Sequence, residues 1–219
     1  MRNIFYFFLL FFMYSSYSFS ENSEEIENMI KYIKKYAVFA IEEMEKFGIP
    51  ASIKLGQGLL ESSIGNSSLS KATNNHFGIK CGINWTGESY YHDDDSSKEC
   101  FRKYNTVKDS FIDHSKFLKK PRYSKLFLLK KNDYKAWAIE LQKAGYATSS
   151  KYSNLLIHQI EKYYLWKFDE DRDHDIDKRI DSYLTFINKR NKKYDSFFIR
   201  KIWFFYKIYL LIKKKINDS

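Results

Sequence analysis

Apolar positions from Ile26 onward recur at helical spacing: Ile26, Met29, Ile30, Ile33, Ala37, Ala40, Ile41 and Met44 keep the i, i+3, i+4, i+7 pattern, and Gly48 marks its end. A second helix is expected from Pro50, whose missing N–H costs nothing at a helix start. Ile53, Leu60 and Ile64 carry its period, and Asn66 to Ser70 read as the loop that ends it. Gly56 and Gly58 lie inside this helix, and each costs about 1 kcal/mol against alanine there. A helix that tolerates two such residues is expected to pack tightly against a neighbour. Glu61 falls near its apolar end, an environment that suits a carboxyl kept protonated as an acid.

The pattern then changes period. Asn74 to Lys80 reads as a loop passing into a strand, and Cys81 to Tyr104 as β structure. Glu88 to Asp95 and Cys100 to Tyr104 make its two strands, with turns at Trp85-Thr86-Gly87 and at Ser96 to Glu99. Helical spacing resumes with Val107, Phe111, His114 and Leu118, with Asn105 or Thr106 to cap it and Pro121 to break it. Further helices are expected over Asp133 to Lys143 and from about Lys151 to Tyr164.

The two ends differ from this body. Arg2, the apolar run Ile4 to Met13 and the small-x-small triplet Ser18-Phe19-Ser20 predict a signal peptide over residues 1–20, so the body is expected to be exported, periplasmic or extracellular. The body is expected over 21–168, an acidic linker over 169–188 and a basic tail over 189–219. Ten Lys or Arg against two Asp fall after residue 188, so +8 of the formal +10 sits in the last 31 residues. The near-neutral body gives no electrostatic footprint for nucleic acid. In the tail, residues 197–212 place Arg200, Lys201 and Lys207 on one face of an otherwise apolar and aromatic helix. That stretch is short for a span and fits a helix lying on a membrane surface, docked on the body or docked on a partner.

An exported chain with two cysteines at the flanks of a hairpin predicts a Cys81–Cys100 disulfide, worth about 3 kcal/mol for a loop of this size. The five histidines are scattered and no zinc-ligand spacing occurs, so no metal and no cofactor is expected, and single histidines such as His114 are read as packed.

Four stretches together resemble one family: Gln57-Gly58-Leu59-Leu60-Glu61-Ser62, Asn74-Asn75-His76-Phe77-Gly78-Ile79-Lys80, Phe101-Arg102-Lys103-Tyr104 followed by Asp109-Ser110, and Ala144-Gly145-Tyr146-Ala147-Thr148. In order and spacing, residues 26–164 are similar to the glucosaminidase family of bacterial cell-wall hydrolases, glycoside hydrolase family 73. The resemblance implies a lysozyme-like α+β fold, mainly helical, with a small β-hairpin lobe and a sugar-binding cleft between them. It implies hydrolysis of the β-1,4 bond after N-acetylglucosamine in peptidoglycan glycan strands. Glu61 would be the general acid and Tyr146 would lie by the reacting sugar, with Gln57, Asn75, Phe77 and Trp85 around the substrate. The family's second carboxylate sits in the β lobe. Here the family's usual Thr-x-Glu is replaced by His92-Asp93-Asp94-Asp95, which makes Asp94 and Asp95 the candidates. Inversion, retention and participation of the 2-acetamido group all stay open at this point. So do a muramidase or lytic transglycosylase activity and a cleft that binds glycan without turnover.

Overall fold

The computed structural model describes residues 2–93, 98–170 and 173–217. The chain divides into a body, Asn28–Asp181, and a second unit made of the residues up to Glu27 and from Ser182 onward. The body is mainly helical with a two-stranded antiparallel sheet, as expected of an α+β, lysozyme-like chain.

Helix α1 (Arg2–Phe47) stops at Gly48, which takes φ +75°, a left-handed conformation open to glycine. Met29, Ile33, Ala37, Ala40 and Ile41 are buried, as the periodicity requires. Helix α2 (Ala51–Glu61) is buried on every side from Ala51 to Leu59. The glycines explain how. A Cβ on Gly56 would lie 2.8 Å from Ile160 Cγ1 and 2.9 Å from Leu156 Cδ1, both on α6 (Tyr152–Lys162). On Gly58 it would lie 2.5 Å from the Tyr32 hydroxyl. Helix α2 therefore ends up held between α6 and α1 at a separation that only glycine permits.

The end of α2 differs from the expectation. Ile64 is not on the helix: Ser63, Ile64 and Gly65 all have positive φ, and Ser62 Oγ, which accepts from Gly65 N at 2.7 Å, turns the chain sharply. The small residues expected to form a loop instead open a further helix, α3 (Ser68–Thr73), because Ser67 Oγ accepts from Ser70 N at 3.1 Å and caps it.

The lobe follows. Strands β1 (Ser89–His92) and β2 (Glu99–Arg102) pair in the register Ser89 with Arg102 to His92 with Glu99. Residues 79–81 run alongside β2, with Cys81 N donating to Cys100 O at 2.9 Å and Arg102 N to Ile79 O at 3.0 Å. Cys81 and Cys100 are joined by the expected disulfide, which ties the start of the lobe to its returning strand. Helix α4 (Val107–Leu118) starts on a capping box between Thr106 and Asp109, a 3-10 helix covers Pro121–Leu128, and α5 (Tyr134–Lys143) is capped by Asp133.

The acidic stretch read as a linker is partly folded into the body. Asp169, on the short α7 (Lys167–Glu170), accepts from Ser52 N at 2.9 Å and from Ser52 Oγ, and so satisfies the first turn of α2. Burial pushes its carboxyl up to about 7. Arg179, in the first turns of α8 (Ile176–Asn217), is also buried and donates to Phe168 O at 2.6 Å and Glu45 Oε1 at 3.0 Å. Among the described residues no helix is long and apolar enough to cross a membrane.

A lysine is also built into the core. Lys54 of α2 is fully buried, and its ammonium donates to Phe111 O at 2.8 Å and Ser115 Oγ at 2.5 Å and lies 3.3 Å from His114 Nδ1. Desolvation lowers its pKa to about 7, although the buried Glu43 acts in the opposite direction. Between pH 7 and about 10 the unfolded chain holds a proton there that the native protein has released, so stability should rise with pH across that window. The contribution approaches about 1.4 kcal/mol per pH unit. Urea unfolding at a series of pH values checks this: the Lys54→Met variant should lack that part of the slope, and parallel profiles for variant and wild type would refute it.

Candidate active site

A cleft of about 530 Å³ opens at the C-terminal end of α2. Glu61, Phe77, Gly78, Arg102, Tyr146 and Thr148 are among the residues that line it, so all four stretches of the sequence pattern converge there. Helix α2 brings Glu61 to the cleft because its buried length stops just short of that residue: Leu59 is buried, whereas Leu60 and Glu61 are part-exposed. The turn at 62–65 then takes the chain away at once, with the β-branched Ile64 at φ +60°, a conformation costly for such a residue.

Tyr146 follows Gly145, which has φ +70°. Its hydroxyl lies 3.5 Å from Phe77 O, and its ring stacks on Tyr152 with centroids 5.5 Å apart. Burial, then the neighbouring Tyr152 and Glu61, raise its pKa well above the usual tyrosine range, so it is a neutral hydrogen-bonding phenol. Tyr152 is a site residue that the sequence did not single out. It is buried, its hydroxyl accepts from Gln57 Nε2 at 2.7 Å, and it also hydrogen-bonds the Glu61 carboxylate. Gln57, Tyr152 and Glu61 thus form a hydrogen-bonded chain that ends at the cleft. No local pattern marks Tyr152. It meets Gln57 only because α6 lies so close to α2.

Other expected substrate residues are placed differently. Gln57 is fully buried behind Tyr152 and does not reach the cleft. Asn75 is buried as well, and it builds the cleft wall rather than facing it. Its Nδ2 donates to Ile79 O and Arg102 O, each at 3.0 Å, and its Oδ1 accepts from Phe77 N at 3.3 Å and Ile79 N at 3.1 Å. Both halves of the amide are used to fold residues 75–79 and tie them to β2. Phe77 does line the cleft; it stacks on His114 with centroids 4.0 Å apart, and His114 is fully buried as read from the sequence. Trp85 lies outside the cleft, in a separate shallow pocket with Tyr104, Asp109 and Asp113. It is held there by its Nε1 donating to Glu88 O at 2.9 Å and by the Arg102 guanidinium 4.6 Å from its ring centre. Asp94 and Asp95 lie outside the described residues.

The matching family model is that of mannosyl-glycoprotein endo-beta-N-acetylglucosaminidase, the glucosaminidase model, over residues 37–165. The exo-glucosaminidase LytG of Bacillus subtilis is 34% identical over 140 residues, covering 58% of this chain and 48% of that protein. The peptidoglycan hydrolase FlgJ of Vibrio parahaemolyticus is 30% identical over 136 residues, covering 57% of this chain and 44% of that protein. The chain therefore spans about half the length of these curated relatives. Among solved structures, a peptidoglycan hydrolase from Sphingomonas sp. A1 superposes with a TM-score of 0.55 at 25% identity, covering 70% of this chain and 94% of that one.

Proposed function

The chain belongs to the glucosaminidase family, and from that premise we propose that it is a peptidoglycan hydrolase, cutting the β-1,4 bond after N-acetylglucosamine with Glu61 as general acid. One observation carries the reading: among the described residues Glu61 is the single carboxylate that lines the cleft, and two tyrosines surround it. Cleavage of a glycoside needs a proton delivered to the leaving oxygen as the sugar becomes an oxocarbenium-like cation. In this reading the hydrogen bond between Tyr152 and the Glu61 carboxyl orients the acid toward the scissile bond. The Tyr146 hydroxyl and the ring of Phe77 flank the sugar that develops the charge. The second carboxylate of this proposal is Asp94 or Asp95, between β1 and β2 in the chain, acting as base or nucleophile. No cofactor is required by this chemistry. The work site is outside the cytoplasm, with residues 1–20 as the export signal.

The tail belongs to the same proposal as a surface anchor. Trp203, Phe204 and Leu211 are exposed on α8, as are Arg200 and Lys207, and at 100° per residue the five fall within an arc of about 100°. The exposed side chains described in this stretch thus mix large apolar groups with cations. That mixture suits an interface where rings enter the headgroup layer and ammonium groups meet anionic lipid.

Two measurements test these readings. The full chain is incubated with purified peptidoglycan, and the new reducing ends are identified by mass spectrometry after borohydride reduction. Wild type should release N-acetylglucosamine ends. Glu61→Gln should lose about 10²- to 10⁴-fold in rate, and Tyr152→Phe about five- to ten-fold, the scale of one lost orienting hydrogen bond. Muramic acid ends would instead assign a muramidase or transglycosylase, and binding without release would assign a glycan-binding cleft. For the tail, co-sedimentation with phosphatidylglycerol vesicles should exceed that with phosphatidylcholine and should fall when Trp203→Ala and Lys207→Gln are combined. Equal sedimentation with both lipids would remove the anchor.

A further inference from the structure

The cleft is lopsided in charge. Lys80, Arg102, Lys120 and Arg122 all line it, against Glu61 as the one lining carboxylate among the described residues. The fold neutralises two of these cations itself. Lys80 Nζ pairs with Glu99 at 2.8 Å, and Arg102 pairs with Asp113 at 2.6 Å while its Nη2 donates to Cys81 O. Both sit on the lobe side and hold the lobe together.

Lys120 and Arg122 are of another kind. They flank Pro121 at the start of the 3-10 helix, outside the lobe, and both are exposed. Neither has a carboxylate partner among the described residues. Yet neither is loosely arranged. Arg122 Nε donates to Ala144 O at 3.1 Å and its Nη2 to Gly145 O, which fixes the guanidinium against the turn that carries Tyr146. Lys120 Nζ lies 4.4 Å from the centre of the Phe117 ring, itself part of the lining. Two cations held by carbonyls and an aromatic ring, lining a cleft and paired with no acid among the described residues, are organised for an anion that comes from outside.

The sugars of a peptidoglycan strand supply no such anion once the lactyl group is amide-linked to its peptide. The stem peptides do, through their free carboxylates. Resting on the hydrolase reading above, we propose that Lys120 and Arg122 form a carboxylate subsite for the peptide stem beside the scissile bond, so that the protein selects strands whose stems carry free carboxylates. Arg122 has a second task in this arrangement. By gripping the two carbonyls before Tyr146 it couples stem binding to the position of that tyrosine.

The full chain is compared on two forms of one peptidoglycan preparation, native and with its carboxylates capped as methylamides. Capping keeps the stems and glycan but removes the anions. Wild type should lose about ten-fold in kcat/KM on capped material, mainly through KM, since an exposed cation contributes roughly two- to five-fold. The loss should shrink as ionic strength rises. Lys120→Gln leaves the Arg122 fork intact, and its native-to-capped ratio should fall to about two- to five-fold, again the scale of one exposed cation. The Lys120→Gln, Arg122→Gln pair should bring the ratio close to one, and Arg122→Lys, which keeps the charge, should restore part of it. Equal rates of wild type on both substrates would overturn the subsite, as would full discrimination by the double variant. Absence of cleavage of either substrate by wild type would instead bring down the hydrolase reading, and the subsite with it.

Discussion

The close approach of helix α2 to its neighbours is the constraint on which the rest of the body depends. A helix buried around its whole circumference must let other elements come near on several sides, and Gly56 and Gly58 provide that room against α6 and Tyr32. The cost of glycine in a helix interior is about 1 kcal/mol each. What is gained is a rigid, dehydrated rod whose two ends are both fixed. Its first turn is satisfied by Asp169 and its last residue is Glu61. Glu61 is therefore placed by the packing of an entire element, as the last residue of a helix buried up to Leu59.

The part of the cleft wall at Phe77 is built on a different principle, polar satisfaction rather than apolar packing. Asn75 uses its whole amide on backbone groups of residues 77, 79 and 102 and so joins the Phe77 loop to the returning strand of the lobe. The disulfide closes the same lobe from its other end. A two-stranded hairpin is marginal by itself. Here it is secured by a covalent tie, by the ion pair of Arg102 with Asp113 and by the loop that Asn75 organises. Behind Phe77 the stack continues to His114 and to the buried Lys54, so the wall rests on the same helix that carries Glu61.

Much of this was legible in the sequence. The helices of the body, the hairpin, the disulfide and the meeting of Glu61, Phe77 and Tyr146 follow from periodicity, from cysteine count and from four spaced stretches that resemble one family. The roles of individual polar residues were less legible. Gln57 and Asn75 belong to those stretches, yet the structure gives one to the orientation of Tyr152 and the other to the backbone of a loop. A family-like string does not distinguish a residue that faces the substrate from one that holds up a residue that does. The short α3 shows the same limit locally: a run of small residues reads equally as a loop and as a capped helix start, and only the bond from Ser70 N to Ser67 Oγ separates the two.

By itself, then, the sequence determined what depends on near neighbours in the chain: the period of each helix, the stop at Gly48, a cap at Asn105 or Thr106, the pairing of the two cysteines and the uneven charge of the tail. Tertiary structure alone decided which groups meet across long separations. It brought Tyr152 to Glu61, Asp169 to Ser52, Lys54 to Phe111 and Trp85 away from the cleft. The reason is that a side chain's partner in the core is set by the distance and direction at which whole elements pack. Those are fixed by the summed shape of many residues, here above all by two missing Cβ atoms on α2.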